Sequence, residues 1–257
     1  MERALPRLAV GREVCGYWEA ATRREWLVTD GSGAYAMGTV AQARTRRYHG
    51  LLIAALQPPV ARTLVVGGMV EGVITPDGAR QWLHSQEWAG GNLDPRGHEL
   101  IDEFALDGTL PVWRFALARG AILEKRVWMP AQSQSTFVTY TLVELLGDFP
   151  ISLELRPLLA WRDHHGIQTA GSDPAVEIGA TTLRVRFPDA GVAVLRASAG
   201  VWERGADWYR RELLGQEWER GLSALEDLFA PATLTAELAE GDTLALVLGA
   251  EPGGDPA

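Results

Sequence analysis

The sequence predicts an all-β protein, a large two-sheet antiparallel β-sandwich with one short helix near the C-terminus. Three observations carry this. Segments of strand character, about fifteen in all, follow one another along the chain. Glycine, proline, asparagine and aspartate cluster between them as turn formers. One stretch alone repeats its apolar residues convincingly at helical spacing.

Taken in order, Glu25 to Asp30 and Tyr35 to Val40 are a predicted strand pair joined by Asp30-Gly31-Ser32-Gly33, whose glycines permit positive φ. A phosphate-binding loop is the rival for Gly31-Ser32-Gly33, but it lacks a third glycine, a following helix and any lysine. His49 to Leu56 is an expected buried strand stopped by Pro58-Pro59. Arg62 to Val66 and Met69 to Thr75 are expected to form a hairpin about Gly67-Gly68, with Pro76-Asp77-Gly78 closing the next turn. From Trp82 to Gly97 the alternation dissolves, and this run is expected as an ordered irregular loop. Strands resume at His98 to Leu106, and Val112 to Leu117 with Ile122 to Met129 make a hairpin about Arg119-Gly120.

From Ser135 to Leu145, Phe137, Thr139, Thr141 and Val143 fall on one face and Val138, Tyr140 and Leu142 on the other. Ile151, Leu153 and Leu155 alternate with polar residues in the same way. Further strands are expected at Val176 to Ile178, Leu183 to Phe187 and Val192 to Arg196, and Val201 to Leu213 reads as a strand or an extended loop. The helix is expected over Gln216 to Leu228, where Trp218, Leu222, Leu225 and Leu228 recur on one side, and Pro231 would end it. Strands at Thr233 to Leu238 and Thr243 to Leu248 complete a sandwich over residues 1–250, leaving 251–257 as a linker or tail.

Composition narrows the function. A net charge of −9 argues against nucleic acid, which asks for a basic face. No apolar run nears the roughly 18 residues of a membrane span, and Met1 to Gly11 lacks the apolar region of a signal peptide. Cys15 is the only cysteine, so no internal disulfide can form, and a cytoplasmic location is expected. Ten tryptophans suit both a sandwich core and stacking on sugar rings, and most are expected in the core.

Two polar knots interrupt the apolar pattern: Thr45-Arg46-Arg47-Tyr48-His49, and Trp161-Arg162-Asp163-His164-His165-Gly166. Read as a strand, the first would put Thr45, Arg47 and His49 on one face and Arg46 and Tyr48 on the other. Arg44, Arg46 and Arg47 are expected to partner carboxylates rather than phosphates, either tying loops or a neighbouring domain together or meeting a ligand. Asp163 and the histidines offer an acid–base pair, but adjacent histidines on an extended chain diverge, and no metal-binding spacing occurs. No Gly-x-Ser-x-Gly supports a serine nucleophile. Glycosidic hydrolysis needs two carboxylates about 5 to 9.5 Å apart. Glu87, Asp94, Glu99, Asp102, Glu103 and Asp163 are the acids nearest the irregular loop and the second knot.

The run Glu25-Trp26-Leu27, Asp30-Gly31-Ser32-Gly33-Ala34-Tyr35 and Thr45-Arg46-Arg47-Tyr48-His49-Gly50-Leu51-Leu52 resembles the N-terminal domain of bacterial and archaeal glycogen debranching enzymes. Arg156-Pro157, Arg162-Asp163-His164, Glu219-Arg220-Gly221 and Glu226-Asp227-Leu228-Phe229 continue the match in order. The family usually has Asn and Gly-Gly where Asp30 and Gly33-Ala34 stand, and an aromatic near Ala224. The resemblance implies a β-sandwich followed by an (α/α)-barrel glucosidase domain. That barrel holds the catalytic carboxylates for α-1,6-linked glucose at glycogen branch points, so this chain would lack the catalytic residues; neither a metal nor a cofactor is expected on it. Three roles are open on this reading. In the first, the sandwich docks on the barrel in cis and shapes its active-site entrance through Arg46, Arg47, Tyr48, His49, Arg162, Asp163 and His164. In the second, it binds an α-glucan oligosaccharide by stacking on Trp82, Trp88, Trp161 or Trp208. In the third, it is a sugar-modifying enzyme similar in fold to galactose mutarotases.

Overall fold

The computed structural model describes residues 6–75, 78–145, 150–171 and 173–252. Pro76 and Asp77 of the expected turn, and residues 253–257 of the expected tail, lie outside them. The elements run in chain order as β1 (Leu8–Gly11), α1 (Arg12–Cys15), α2 (Trp18–Thr22), β2 (Glu25–Thr29), β3 (Tyr35–Thr39), β4 (Gly50–Gln57), β5 (Val60–Ile74), β6 (Arg80–Trp82), β7 (Ser85–Trp88) and β8 (Asn92–Arg96). They continue as β9 (Ile101–Asp107), β10 (Leu110–Ala116), β11 (Ile122–Trp128), β12 (Thr136–Glu144), β13 (Ile151–Asp163), β14 (Ala175–Ile178), β15 (Thr182–Arg186) and β16 (Gly191–Ala197). The last are β17 (Val201–Leu213), α3 (Gly215–Glu219), β18 (Leu225–Leu238) and β19 (Thr243–Pro252).

Two antiparallel sheets result, as the alternation predicts. One has nine strands in the order β1-β9-β10-β11-β12-β19-β16-β15-β14. The other has ten, β2-β3-β4-β5-β13-β18-β17-β7-β8, with β6 paired to β5. β12 shows the period of two directly: Val138, Tyr140 and Leu142 are buried while Phe137, Thr139 and Thr141 are half-buried. Trp113, Phe115, Leu123 and Tyr140 from the first sheet share one core with Val65, Val73, Leu153 and Leu234 from the second. No described helix is long and apolar enough to cross a membrane.

The structure corrects several sequence expectations. Gly67-Gly68 is not a turn: β5 passes straight through it, with Gly68 opposite Leu158 and a register shift beside it. The glycines serve close approach instead, since a Cβ on Gly67 would stand 3.1 Å from Leu228 and 3.5 Å from the Arg44 guanidinium. The helix over Gln216 to Leu228 shrinks to α3, because Gly221 adopts φ +72 and ends it. Leu225 and Leu228 then belong to β18, and Trp218 and Leu222 point outward. Pro231 lies inside β18, opposite the register shift between Arg204 and Asp207 of β17, where no ladder donor is missed. The irregular stretch from Trp82 to Gly97 holds β7 and β8, paired to each other, with β7 joined to β17 at Trp88 and Glu212. Two helices precede β2, so the described residues carry three short α-helices rather than one, besides 3-10 turns at Gly97–Leu100 and Ala118–Gly120. β19 also runs past Leu248 to Pro252, pairing Glu251 with Val192.

A small ionic cluster sits between the sheets. Lys125 of β11 pairs with Glu71 of β5, and the Tyr140 hydroxyl donates to the same Glu71 oxygen. The ammonium also lies 5.5 Å from the Trp113 ring and 5.7 Å from that of Tyr140, so aromatic faces replace part of its lost hydration. Burial pushes the Tyr140 pKa well up, and the neighbouring Glu71 carboxylate pushes it the same way. The Glu71 amide donates to Nδ1 of the buried His84 at 3.1 Å. Burial lowers the His84 pKa from 6.5 to about 4, outweighing the attraction of Glu71. Between those values the unfolded chain binds more protons than the folded one. Stability is therefore expected whole above about pH 6.5 and falling toward pH 4, by up to about 3 kcal/mol from this group. Urea midpoints at pH 7, 5.5 and 4.5 check this, and His84→Gln should flatten the profile; a slope that the substitution leaves unchanged would contradict it.

Candidate functional site

Residues 43–49 link β3 to β4 as a turn, not a strand. Thr39 Oγ1 donates to the Ala43 carbonyl at 2.8 Å, the His49 amide donates to Arg46 O at 3.1 Å, and the Thr45 amide donates to His49 Nδ1 at 3.1 Å. The two-face division expected for this segment therefore fails. Arg46 reaches Glu25 at 2.6 Å, whereas Arg47 and Tyr48 both turn toward His165. Because His49 Nδ1 accepts from Thr45, its Nε2 carries the hydrogen that reaches Glu25 at 3.0 Å. That bond, helped by Arg46 and opposed by partial burial, holds the Glu25 pKa at about 2. The β2–β3 turn is fixed likewise: Asp30 accepts from the Ser32 amide at 2.8 Å, the Ala34 amide at 3.2 Å and the Gln134 amide at 3.1 Å. Gly31 and Gly33 carry the positive φ that the sequence predicts.

Behind the turn lies a buried charge network. Glu212 of β17 and Glu226 of β18 are directly paired across the strands. Two carboxylates there would repel, and Arg44 bonds both, Glu212 at 2.6 Å and Glu226 through its other terminal nitrogen. Arg162 holds Glu226 from the far side, Nε at 2.5 Å and Nη2 at 3.0 Å. Burial opposes ionisation of both acids. At Glu226 the two arginines prevail and the pKa is lowered; at Glu212, with a single arginine in contact, burial prevails and the pKa is raised. Arg162 also donates to the Arg47 carbonyl at 2.8 Å, and Glu217 accepts from the Arg47 amide at 3.1 Å, so the turn is anchored to β13 and α3. The expectation that these arginines meet carboxylates matches the geometry of Arg44, Arg46 and Arg47 alike.

The second knot overturns one expectation. His164 and His165 do not diverge: their Nε2 atoms stand 3.0 Å apart. Asp163 ends β13 and accepts the His165 amide at 2.8 Å, so the backbone turns at once and brings the rings together. Each ring is held by a tyrosine. Tyr35 OH lies 3.2 Å from His164 Nδ1, and Tyr48 OH lies 3.1 Å from His165 Nδ1. Partial burial and the neighbouring His165 lower the His164 pKa.

The four tryptophans proposed for stacking do not share a surface. Trp161 and Trp208 pack on the inter-sheet core, against Phe187 and Phe229 respectively. Trp82 belongs to a smaller cluster with Tyr209, and Trp88 lies 6.1 Å from the Tyr209 ring. The acids scatter too. Glu103 pairs with Arg7, Glu99 with Arg96, and Glu87 lies against Gly215 with its pKa raised by burial and by Glu219. Glu212, Glu217, Tyr35 and Tyr209 are residues of this region to which sequence reasoning gave no role. The available signal was a lone carboxylate set against apolar neighbours, Glu212 before Leu213-Leu214.

Removing the acid shared by two buried arginines should be costly. Glu226→Gln is expected to destabilise the fold by about 3 to 5 kcal/mol, the range for breaking a buried pair. Surface Glu99→Gln should cost under about 1 kcal/mol. Urea denaturation of both variants checks the contrast.

A family model described as the N-terminal part of glycogen debranching enzyme matches residues 24–245. No curated protein matches. Among solved structures, a bacterial glucoamylase complexed with acarbose is similar over 89% of this chain and 32% of its own, at 10% sequence identity and a TM-score of 0.45. This chain thus spans about a third of that glucoamylase's length. The family match takes in both polar knots, the buried arginine–glutamate network and 18 of the 19 strands at least in part, and the chain belongs to the glycogen debranching enzyme N-terminal family.

Proposed function

We propose that this domain supports hydrolysis of α-1,6-glucosidic branch points in glycogen or a related α-glucan by packing against an (α/α)-barrel catalytic domain in cis. The observation that carries this reading is an apolar patch beside the charged turn. Trp218 is 66% exposed and Leu222 45%. Both lie in or just after α3, which is stitched to the turn by Gln216 N–H on Thr45 O at 2.9 Å and by Arg47 on Ser223 O at 3.4 Å. Large apolar side chains exposed next to a turn held by Arg47 and Glu217 suit a domain interface, where apolar centres meet polar edges. The Arg44–Glu226–Arg162 network gives that surface a rigid floor. The catalytic carboxylates are then the barrel's, and this domain shapes the entrance. A cytoplasmic setting fits Cys15, a buried free thiol with its pKa raised by burial to about 11.

In an enzyme carrying both domains, Trp218→Ser is expected to cut glucose release from a branched limit dextrin about tenfold, with the circular dichroism unchanged. Arg47→Ala should act in the same direction. Full activity in both variants, with the two halves of the unsubstituted enzyme separating after cleavage between them, would remove the docking role.

A second reading has its own support. Trp82 and Tyr209 flank a groove of about 310 Å³ on the outer face of the ten-stranded sheet, beside Glu154, Arg156, Thr233 and Thr235. Arg156 donates to the Tyr209 hydroxyl at 3.2 Å and to Thr233 Oγ1 at 3.1 Å. An aromatic face beside fixed polar groups suits a glucosyl unit. Calorimetric titration of the 257-residue chain with a branched maltooligosaccharide should then give saturable heat that Trp82→Ala abolishes. Absence of heat leaves docking as the role.

A further inference from the structure

We propose that Asp163, His164 and His165 form a binding site for a divalent transition-metal ion of the zinc class, with three protein ligands and one position open to solvent. One donor atom from each residue lies within 4.8 Å of the other two. The two imidazole Nε2 atoms are 3.0 Å apart. Two nitrogens at about 2.0–2.1 Å from a tetrahedral zinc stand about 3.3 Å apart, so a small opening of the pair seats the ion.

The surroundings fit ligation. A ligating histidine normally donates its other ring N–H to an oxygen, which fixes its tautomer and orientation. Tyr35 and Tyr48 supply that oxygen to His164 and His165, one each. With both Nδ1 atoms donating, both Nε2 atoms carry lone pairs and face each other, an arrangement that a cation between them relieves. The Tyr48 ring lies 5.6 Å from each imidazole and holds both in place. Asp163 adds the carboxylate and keeps its place through the His165 amide. Two imidazoles with one carboxylate select zinc, cobalt or nickel over calcium or magnesium, which prefer all-oxygen sites. Arg62 and Arg162 act on the site with positive charge, and the nearer ionic partner of Arg162 is Glu226. This charge weakens cation binding at the site.

His165 and Asp163 are exposed, so an ion can enter without unfolding, and His165→Ala is expected to leave the fold intact. The untagged chain, freed of metal by chelator and dialysis at pH 7.5, would be titrated with zinc chloride by calorimetry and with cobalt chloride by visible absorption. One equivalent should bind, with the intense absorption of tetrahedral cobalt. His165→Ala should abolish both signals, and Tyr48→Phe should weaken binding about 10- to 100-fold, the usual effect of losing a supporting partner. No binding, binding that survives His165→Ala, or the weak spectrum of octahedral cobalt would each overturn the site. The facing nitrogens would then share a proton: Tyr35 donates to His164 Nδ1, and His164 Nε2–H donates to His165.

Discussion

Arg44 is the interaction on which this architecture depends. Antiparallel pairing sets Glu212 opposite Glu226, two acids in an interior that tolerates neither alone. A single guanidinium, with its rigid fork of donors, answers both and has a further N–H for the His49 carbonyl. The centre of the ten-stranded sheet is thereby tied to the turn between β3 and β4. Gly67 of β5 belongs to the same solution, because a side chain there would press on the space that Arg44 and Leu228 fill. Arg162 completes the balance from β13, so four neighbouring elements are fixed by one charge-neutral group of side chains.

Order at this end of the molecule propagates outward from that group. Arg162 and Glu217 hold the backbone of Arg47, and the turn then presents Tyr48 to His165. The Tyr35–His164–His165–Tyr48 chain is thus an outer layer resting on an inner ionic one. Polar groups that converge on this scale cost free energy unless each finds a partner, and in this layer the tyrosine hydroxyls and imidazole nitrogens partner one another.

Much of this was legible in the sequence. The period of two in Phe137 to Val143 and in Ile151 to Leu155 reports which face each strand buries, because strand side chains alternate strictly. The Asp30-Gly31-Ser32-Gly33 turn follows from glycine's access to positive φ. What resisted reading depended on distant contacts. Gly67-Gly68 looks like a turn until Leu228, far along the chain, is seen to lie against it. Trp218, Leu222, Leu225 and Leu228 have helical spacing, yet pairing with β13 and β17 draws the later residues into a strand. The divergence expected of His164 and His165 assumed an extended backbone, and the chain turns at that very point. The partners of the arginines lie more than 160 positions away for Arg44, a separation over which sequence spacing carries no signal.

The four edges of this open sandwich are β1, β14, β2 and β8. Each is four or five residues long, whereas β5, β13 and β18 at the centre of one sheet run 13 to 15. Glu25 stands on β2, Glu177 on β14, and Asp94, Pro95 and Arg96 on β8. Short margins, three of the four bearing charge or proline, offer little template for another strand. These margins therefore give a second molecule little backbone on which to extend either sheet at its ends.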